Sequence, residues 1–150
     1  MNARENRPPI PKSLPATLRR ELESCYRELA AEIAALGVAC WATGRCCDFS
    51  RVDHHLYASS VEIAFVREKH GRVAARQSDS GKALLCPFWQ DGRCEERERR
   101  PLGCRTYFCD PRYRTSLEQL YEKHLARLRS AADREGYRWC YAPFLEELDR

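Results

Sequence analysis

From Pro15 onward, apolar residues recur at spacings of three and four: Leu18, Leu22, Cys25, Leu29, Ile33 and Leu36. That period sets all six on one stripe of an α-helix. Gly37 follows the stripe and is suited to end the helix in a left-handed conformation. A second stripe, Leu117, Leu120, Tyr121, His124, Leu128 and Ala131, predicts another amphipathic helix that ends near Gly136. Thr115-Ser116-Leu117-Glu118 has the spacing of a capping box at its start. Between these helices the pattern is ambiguous. Val61, Ile63 and Phe65 alternate with Glu62 and Ala64, as in a strand. Ser59-Ser60-Val61-Glu62 has capping-box spacing, and Gly71 could close a helix over residues 60–70, so the helix is preferred. A short last helix is expected from Pro143, with Phe144, Leu145 and Leu148 packed on the core. Cys25, His124 and Cys140 read as core residues, and His70 as a helix end.

The remaining segments lack a period. Residues 1–12 carry Pro8, Pro9 and Pro11 and are expected to form a flexible N-terminal arm. Residues 72–85 suit a short strand or an extended approach to Cys86. Residues 86–114 read as a loop scaffold, with a turn signal at Asp91-Gly92 and a close bend allowed by Gly103. A chain of 150 residues fits one domain and can bury a core of its own. The expected fold is therefore mainly α: residues 13–150 form one small domain of helices around a cysteine-rich, loop-built metal site, with a short hairpin admitted.

Candidate chemistry lies in the cysteines. Seven of the nine form an ordered series: Cys40, Cys46, Cys47, Cys86, Cys94, Cys104 and Cys109. Thiolates are soft ligands that select zinc, copper(I) and iron–sulfur clusters. The N-terminal stretch lacks the apolar run of a signal peptide, and no segment approaches the length of a membrane helix. The expected location is the cytosol, where clustered cysteines are more often ligands than disulfides. Seven candidates exceed one four-ligand site, so either some stand behind the ligands or two metals share bridging thiolates.

The residues resemble a known family. Cys40-Trp41-Ala42-Thr43-Gly44-Arg45-Cys46-Cys47 is similar to the C-x-x-C-G-x-C-C signature of the YkgJ-like cysteine-cluster family, a zinc- or iron-chelating CxxCxxCC domain. Cys86-Pro87-Phe88, Gly92-Arg93-Cys94, Arg100-Pro101-Leu102-Gly103-Cys104-Arg105 and Cys109 resemble its downstream blocks. The resemblance spans residues 40–112 and implies a small cytosolic metalloprotein, with an iron–sulfur cluster favoured over a zinc or iron ion. Thr43 stands where the family has its second cysteine, so the first block keeps three thiolates. The set best placed to ligate is Cys46 or Cys47 with Cys86, Cys104 and Cys109, followed by Cys94 and then Cys40.

Net charge is +4, but acidic residues interleave with the arginines, as in Glu95–Arg100, and no basic stripe appears. A nucleic-acid partner is not expected. A protein or redox partner is, though the sequence does not identify it. Arg100 and Arg105 flank the ligands and could stabilise thiolate charge or pair with nearby glutamates. His54 and His55 follow the vicinal cysteines and read first as solvated, second as ligands. Tyr107 reads first as an aromatic lid and second as an acid or base. No phosphate loop, nucleophile elbow or zinc-protease motif is present. Three functions remain open: a redox or metal-handling protein, a metal-dependent modifying enzyme, and an interaction module folded around structural zinc.

Overall fold

The computed structural model describes residues 5–40, 55–79, 81 and 84–150. Helix α1 spans Ala16–Leu36 and is closed by Gly37 at φ 73°, the left-handed cap expected from the sequence. Its stripe is buried through Leu18, Leu22, Cys25 and Leu29, with Tyr26 beside it. Strand β1 (Tyr57–Ser59) leads directly into helix α2 (Ser60–His70). Every residue of α2 from Ser60 to Val66 is buried. Burial all round explains the ambiguous pattern, because periodicity cannot separate a buried helix from a buried strand. Two short hairpins follow, β2 (Arg76–Gln77) with β3 (Leu84–Leu85) and β4 (Trp89–Gln90) with β5 (Arg93–Cys94). Helix α3 (Leu102–Arg105), a 3₁₀ turn (Pro111–Tyr113), helix α4 (Arg114–Arg134), strand β6 (Tyr141–Pro143) and helix α5 (Phe144–Leu148) complete the chain. The molecule is a small, mainly helical domain with small antiparallel sheets. No described helix is long and apolar enough to cross a membrane.

The long helices α1 and α4 pack together, and polar contacts fix their alignment. Arg127 of α4 reaches Glu21 at 2.6 Å and Glu28 at 2.6 Å on α1. Strands β1 and β6 pair antiparallel, with Ala58 opposite Ala142. This ladder joins the middle of the chain to its end. Ser60 N donates to Cys140 O at 2.7 Å, and Phe144 N donates to Leu56 O at 2.8 Å. Both are long-range pairings that the local sequence does not announce.

Two local expectations are corrected. The capping box at Thr115 is not used: α4 begins at Arg114 with no side-chain cap. Asp110 instead accepts from Arg112 N and starts the 3₁₀ turn that runs into α4. Gly103 is not at a bend but inside α3. A Cβ there would stand 2.6 Å from Leu56 Cδ1, so glycine serves close packing. The proline-rich stretch read as an arm has no regular structure in residues 8–11, yet Ile10 and Leu14 join the core. Arg7 pairs with Glu146 at 2.7 Å and Glu147 at 2.8 Å, tying the stretch to α5.

One buried carboxylate organises the centre. Glu62 is 1% exposed. One oxygen accepts from Ser59 N at 2.8 Å and Ser59 Oγ at 2.7 Å; Ser59 Oγ in turn receives Glu62 N at 3.4 Å. This is a reciprocal capping box. The other oxygen accepts from Leu102 N at 2.7 Å, in the first turn of α3. Burial pushes the Glu62 pKa up, against the pull of these donors. Replacing Glu62 by alanine strands two buried backbone donors, each costing about 1–3 kcal/mol. Glu62→Ala should lose about 3 kcal/mol or more in urea unfolding, and Glu62→Gln less, since the amide keeps one acceptor. A loss below about 1 kcal/mol for Glu62→Ala would show that the carboxylate is not what joins α2 to α3.

Candidate functional site

Three separate parts of the fold bring cysteines to one cavity. Cys40 stands three residues beyond the Gly37 cap of α1 and is exposed. Cys86 is buried, and its carbonyl accepts from Trp89 N at 3.1 Å in the turn that opens the second hairpin. Cys94 closes that hairpin, opposite Trp89. Its turn is Asp91-Gly92, with φ 50° and 78°. Positive φ at both positions matches the twist of a tight hairpin and holds Cys86 and Cys94 in fixed relation. Cys104 lies in α3, whose first turn is bound by Glu62. All four cysteines line a cavity of about 170 Å³. This exceeds an engineered cavity of about 150 Å³ that accommodates benzene.

The other walls are aromatic and cationic. Phe88, Trp89, Tyr107, Phe108 and Phe144 line the cavity, so Tyr107 sits beside the cysteines as one of five aromatic rings in its walls. Arg93, Arg97 and Arg100 also line it. Arg105 stands beside this wall, and its guanidinium lies 3.6 Å from the centroid of the Tyr26 ring. It donates to Arg100 O at 2.8 Å and to Glu98 O. Burial pulls the Arg105 pKa below its ordinary value, while Tyr26 and Cys104 act in the opposite direction. Arg105 thus knits the loop that presents Arg100 and Cys104. Among the described residues, neither arginine forms the ion pair with neighbouring glutamates that the sequence allowed. Glu96, the one acidic residue among the described walls, is held by Lys69 at 2.9 Å and His70 at 2.5 Å. These partners pull its pKa down to about 2 despite burial.

The expected ligand set is only partly gathered. Cys109 lines an adjoining cavity of about 310 Å³ that shares Tyr107 and Phe108 with the first. Cys46, Cys47, Thr43 and His54 lie outside the described residues. His55 is exposed. His70 ends α2, as expected, and its ring lies 4.8 Å from that of Phe88. Among the described residues, no three His, Cys, Asp or Glu side chains form a group able to hold a metal ion. The four cysteines therefore share a cavity without forming a closed ligand cage by themselves.

A second thiol arrangement escaped sequence reasoning. Cys25 Sγ lies 3.1 Å from His124 Nδ1 across the contact between α1 and α4, and both residues are fully buried. His124 Nε2 stands 3.4 Å from Glu32 Oε1, which also holds Lys123 at 2.7 Å. A thiol, an imidazole and a carboxylate in this order suggest a nucleophile, but burial pushes the Cys25 thiol up to about 12 and keeps it protonated. The contact is a core hydrogen bond. Its only advance sign was that Cys25 and His124 each occupied an apolar stripe.

The pair makes stability depend on pH at both ends. Burial holds the His124 pKa below 6.5, with Glu32 opposing. The folded state resists protonation, so this stability is present above 6.5 and is lost as pH falls through the lowered value. The Cys25 pKa is raised from 9.0 to about 12, so its contribution is present below 9.0 and is lost as pH rises toward 12. Urea unfolding across pH should show both slopes. Cys25→Ala should flatten the alkaline slope and His124→Gln the acid one, though Tyr26, Tyr137 and Cys140 also contribute above 9.0 and Glu96 below 4.5; unchanged slopes in both variants would refute the assignment.

No protein-family model, curated protein or solved structure matches this chain.

Proposed function

We propose that this is a cytosolic metal-binding protein that holds an iron–sulfur cluster, or a zinc or iron ion, through its clustered cysteines, with a role in redox or metal handling. The observation that carries the reading is the convergence of Cys40, Cys86, Cys94 and Cys104 on one cavity. Residues 64 positions apart in the chain meet there, delivered by the end of a helix, a hairpin and a second helix. Soft sulfur donors suit thiophilic metals, and the YkgJ-like motif blocks agree with that chemistry. Cys46 and Cys47, adjacent in sequence to Cys40, are the natural further ligands, and Cys109 lies next door. When bound, the group would supply either electron transfer or Lewis acidity. The chain's own part is to gather the thiols, wall them with aromatic rings and limit water.

A second reading, a metal-dependent modifying enzyme, is favoured by one observation. The cavity has apolar and cationic walls beyond its cysteines, as a substrate pocket would.

Protein purified anaerobically should carry metal or cluster in stoichiometric amount by elemental analysis, with visible absorption if the group is iron–sulfur. Less than about one metal equivalent for every two chains, with no sign of loss during preparation, would reject the proposal, since a closed thiolate site holds its metal tightly. Cys86→Ser and Cys104→Ser should each lose most of the metal, whereas Cys25→Ser should retain it and lose only stability. Equal metal loss in all three would contradict the division between cavity and core.

A further inference from the structure

The arginine-bearing wall of the cavity has a feature that thiol ligation leaves unexplained. Trp89 Nε1 and Arg100 Nε are both buried, and neither has a hydrogen-bond partner among the described residues. Both residues line the cavity. An unpaired buried donor costs about 1–3 kcal/mol, more if charged, and such groups are usually satisfied by a ligand, ion or water. Arg97 and Arg93 stand in the same wall and are exposed. Arg93 pairs with Glu95 at 2.9 Å, and the wall's one acidic group, Glu96, is already engaged by Lys69 and His70. Arg93, Arg97 and Arg100 thus give this wall cationic donors suited to an anion that accepts hydrogen bonds. Phe88 and Phe108 line the same space of about 170 Å³.

We infer that the cavity binds a small anionic molecule with an apolar, ring-sized body, whose carboxylate or comparable oxyanion is held by Arg100 and Trp89. Arginine and indole N–H groups are both pure donors, and only arginine adds charge and a fork that matches a carboxylate. The rings then cover the body of the ligand. The inference rests on these donors and not on the thiolates, but a metal and the anion would share one cavity of about 170 Å³, so metal content is recorded in every titration.

Benzoate and its neutral analogue benzyl alcohol are the probes, titrated by calorimetry into the full chain as isolated, with its metal content recorded so that anion and metal binding are scored separately. Benzoate should bind about tenfold or more tighter than benzyl alcohol, a difference of about 1.4 kcal/mol. Arg100→Lys keeps the charge but loses the Nε donor and the fork, and should weaken benzoate about tenfold without changing benzyl alcohol. Trp89→Phe keeps a ring but loses the N–H, and should weaken benzoate about threefold. Arg134→Lys, at the exposed end of α4, should change neither. Circular dichroism establishes that each variant is folded, and either cavity variant suffices for the test if the other is not. Benzoate binding no tighter than benzyl alcohol, or equal benzoate affinity in wild type and the folded cavity variants, would overturn the inference.

Discussion

The fold turns on a single buried carboxylate. Glu62 closes the capping box of α2 through Ser59 and, with its other oxygen, receives the backbone of α3 at Leu102. Because Ser59 also ends β1, the same side chain touches the ladder that β1 forms with β6. A carboxylate out of water is costly unless each oxygen is satisfied, and here both are. The consequence reaches the cavity. Helix α3 has four residues and could not hold itself, since so short a helix gains too few hydrogen bonds to offset its nucleation. Anchored by Glu62 and packed through Gly103 against Leu56, it presents Cys104 at a fixed place. Arg105 continues the anchoring by lying on Tyr26 and binding the carbonyls of the preceding loop.

Helices whose signal is amphipathic were readable in advance. The stripes of α1 and α4, the Gly37 cap and the Ser59–Glu62 box all correspond to structure, because each depends on residues within a few positions of one another. The β1–β6 ladder was not readable: Tyr57 and Pro143 meet only after the helices have packed. The Thr115 box misled for a local reason. Asp110 and Pro111 start a turn before it, and the helix is already under way when Thr115 is reached. Gly103 misled because a missing Cβ can serve packing as well as backbone freedom. Ile10 shows that prolines exclude regular structure without excluding burial.

The candidate site was legible as chemistry and not as shape. The cysteine series pointed to soft-metal ligation, but sequence order ranked Cys109 above Cys40, whereas the cavity includes Cys40 and leaves Cys109 in the neighbouring space. A hairpin and a short helix set that arrangement, and neither has a strong sequence signal. The donors of Trp89 and Arg100 could not be foreseen either, because an indole or guanidinium becomes informative only when it is buried without a partner. Arg105, a candidate for thiolate stabilisation, also braces the loop through Tyr26 and the carbonyls of Glu98 and Arg100, and Cys104 acts to raise its pKa.

The central claim is that cysteines distant in the chain act on one occupant. Differential alkylation, read residue by residue by mass spectrometry, tests this most directly. Protein purified anaerobically is compared with the same protein after chelation. If Cys40, Cys86, Cys94 and Cys104 share an occupant, all four become reactive together on chelation, while Cys25, buried and protonated, remains unlabelled in both forms. If the four thiols react at the same rates before and after chelation, or lose their protection independently of one another, the cavity is not a common thiolate site and the account is contradicted.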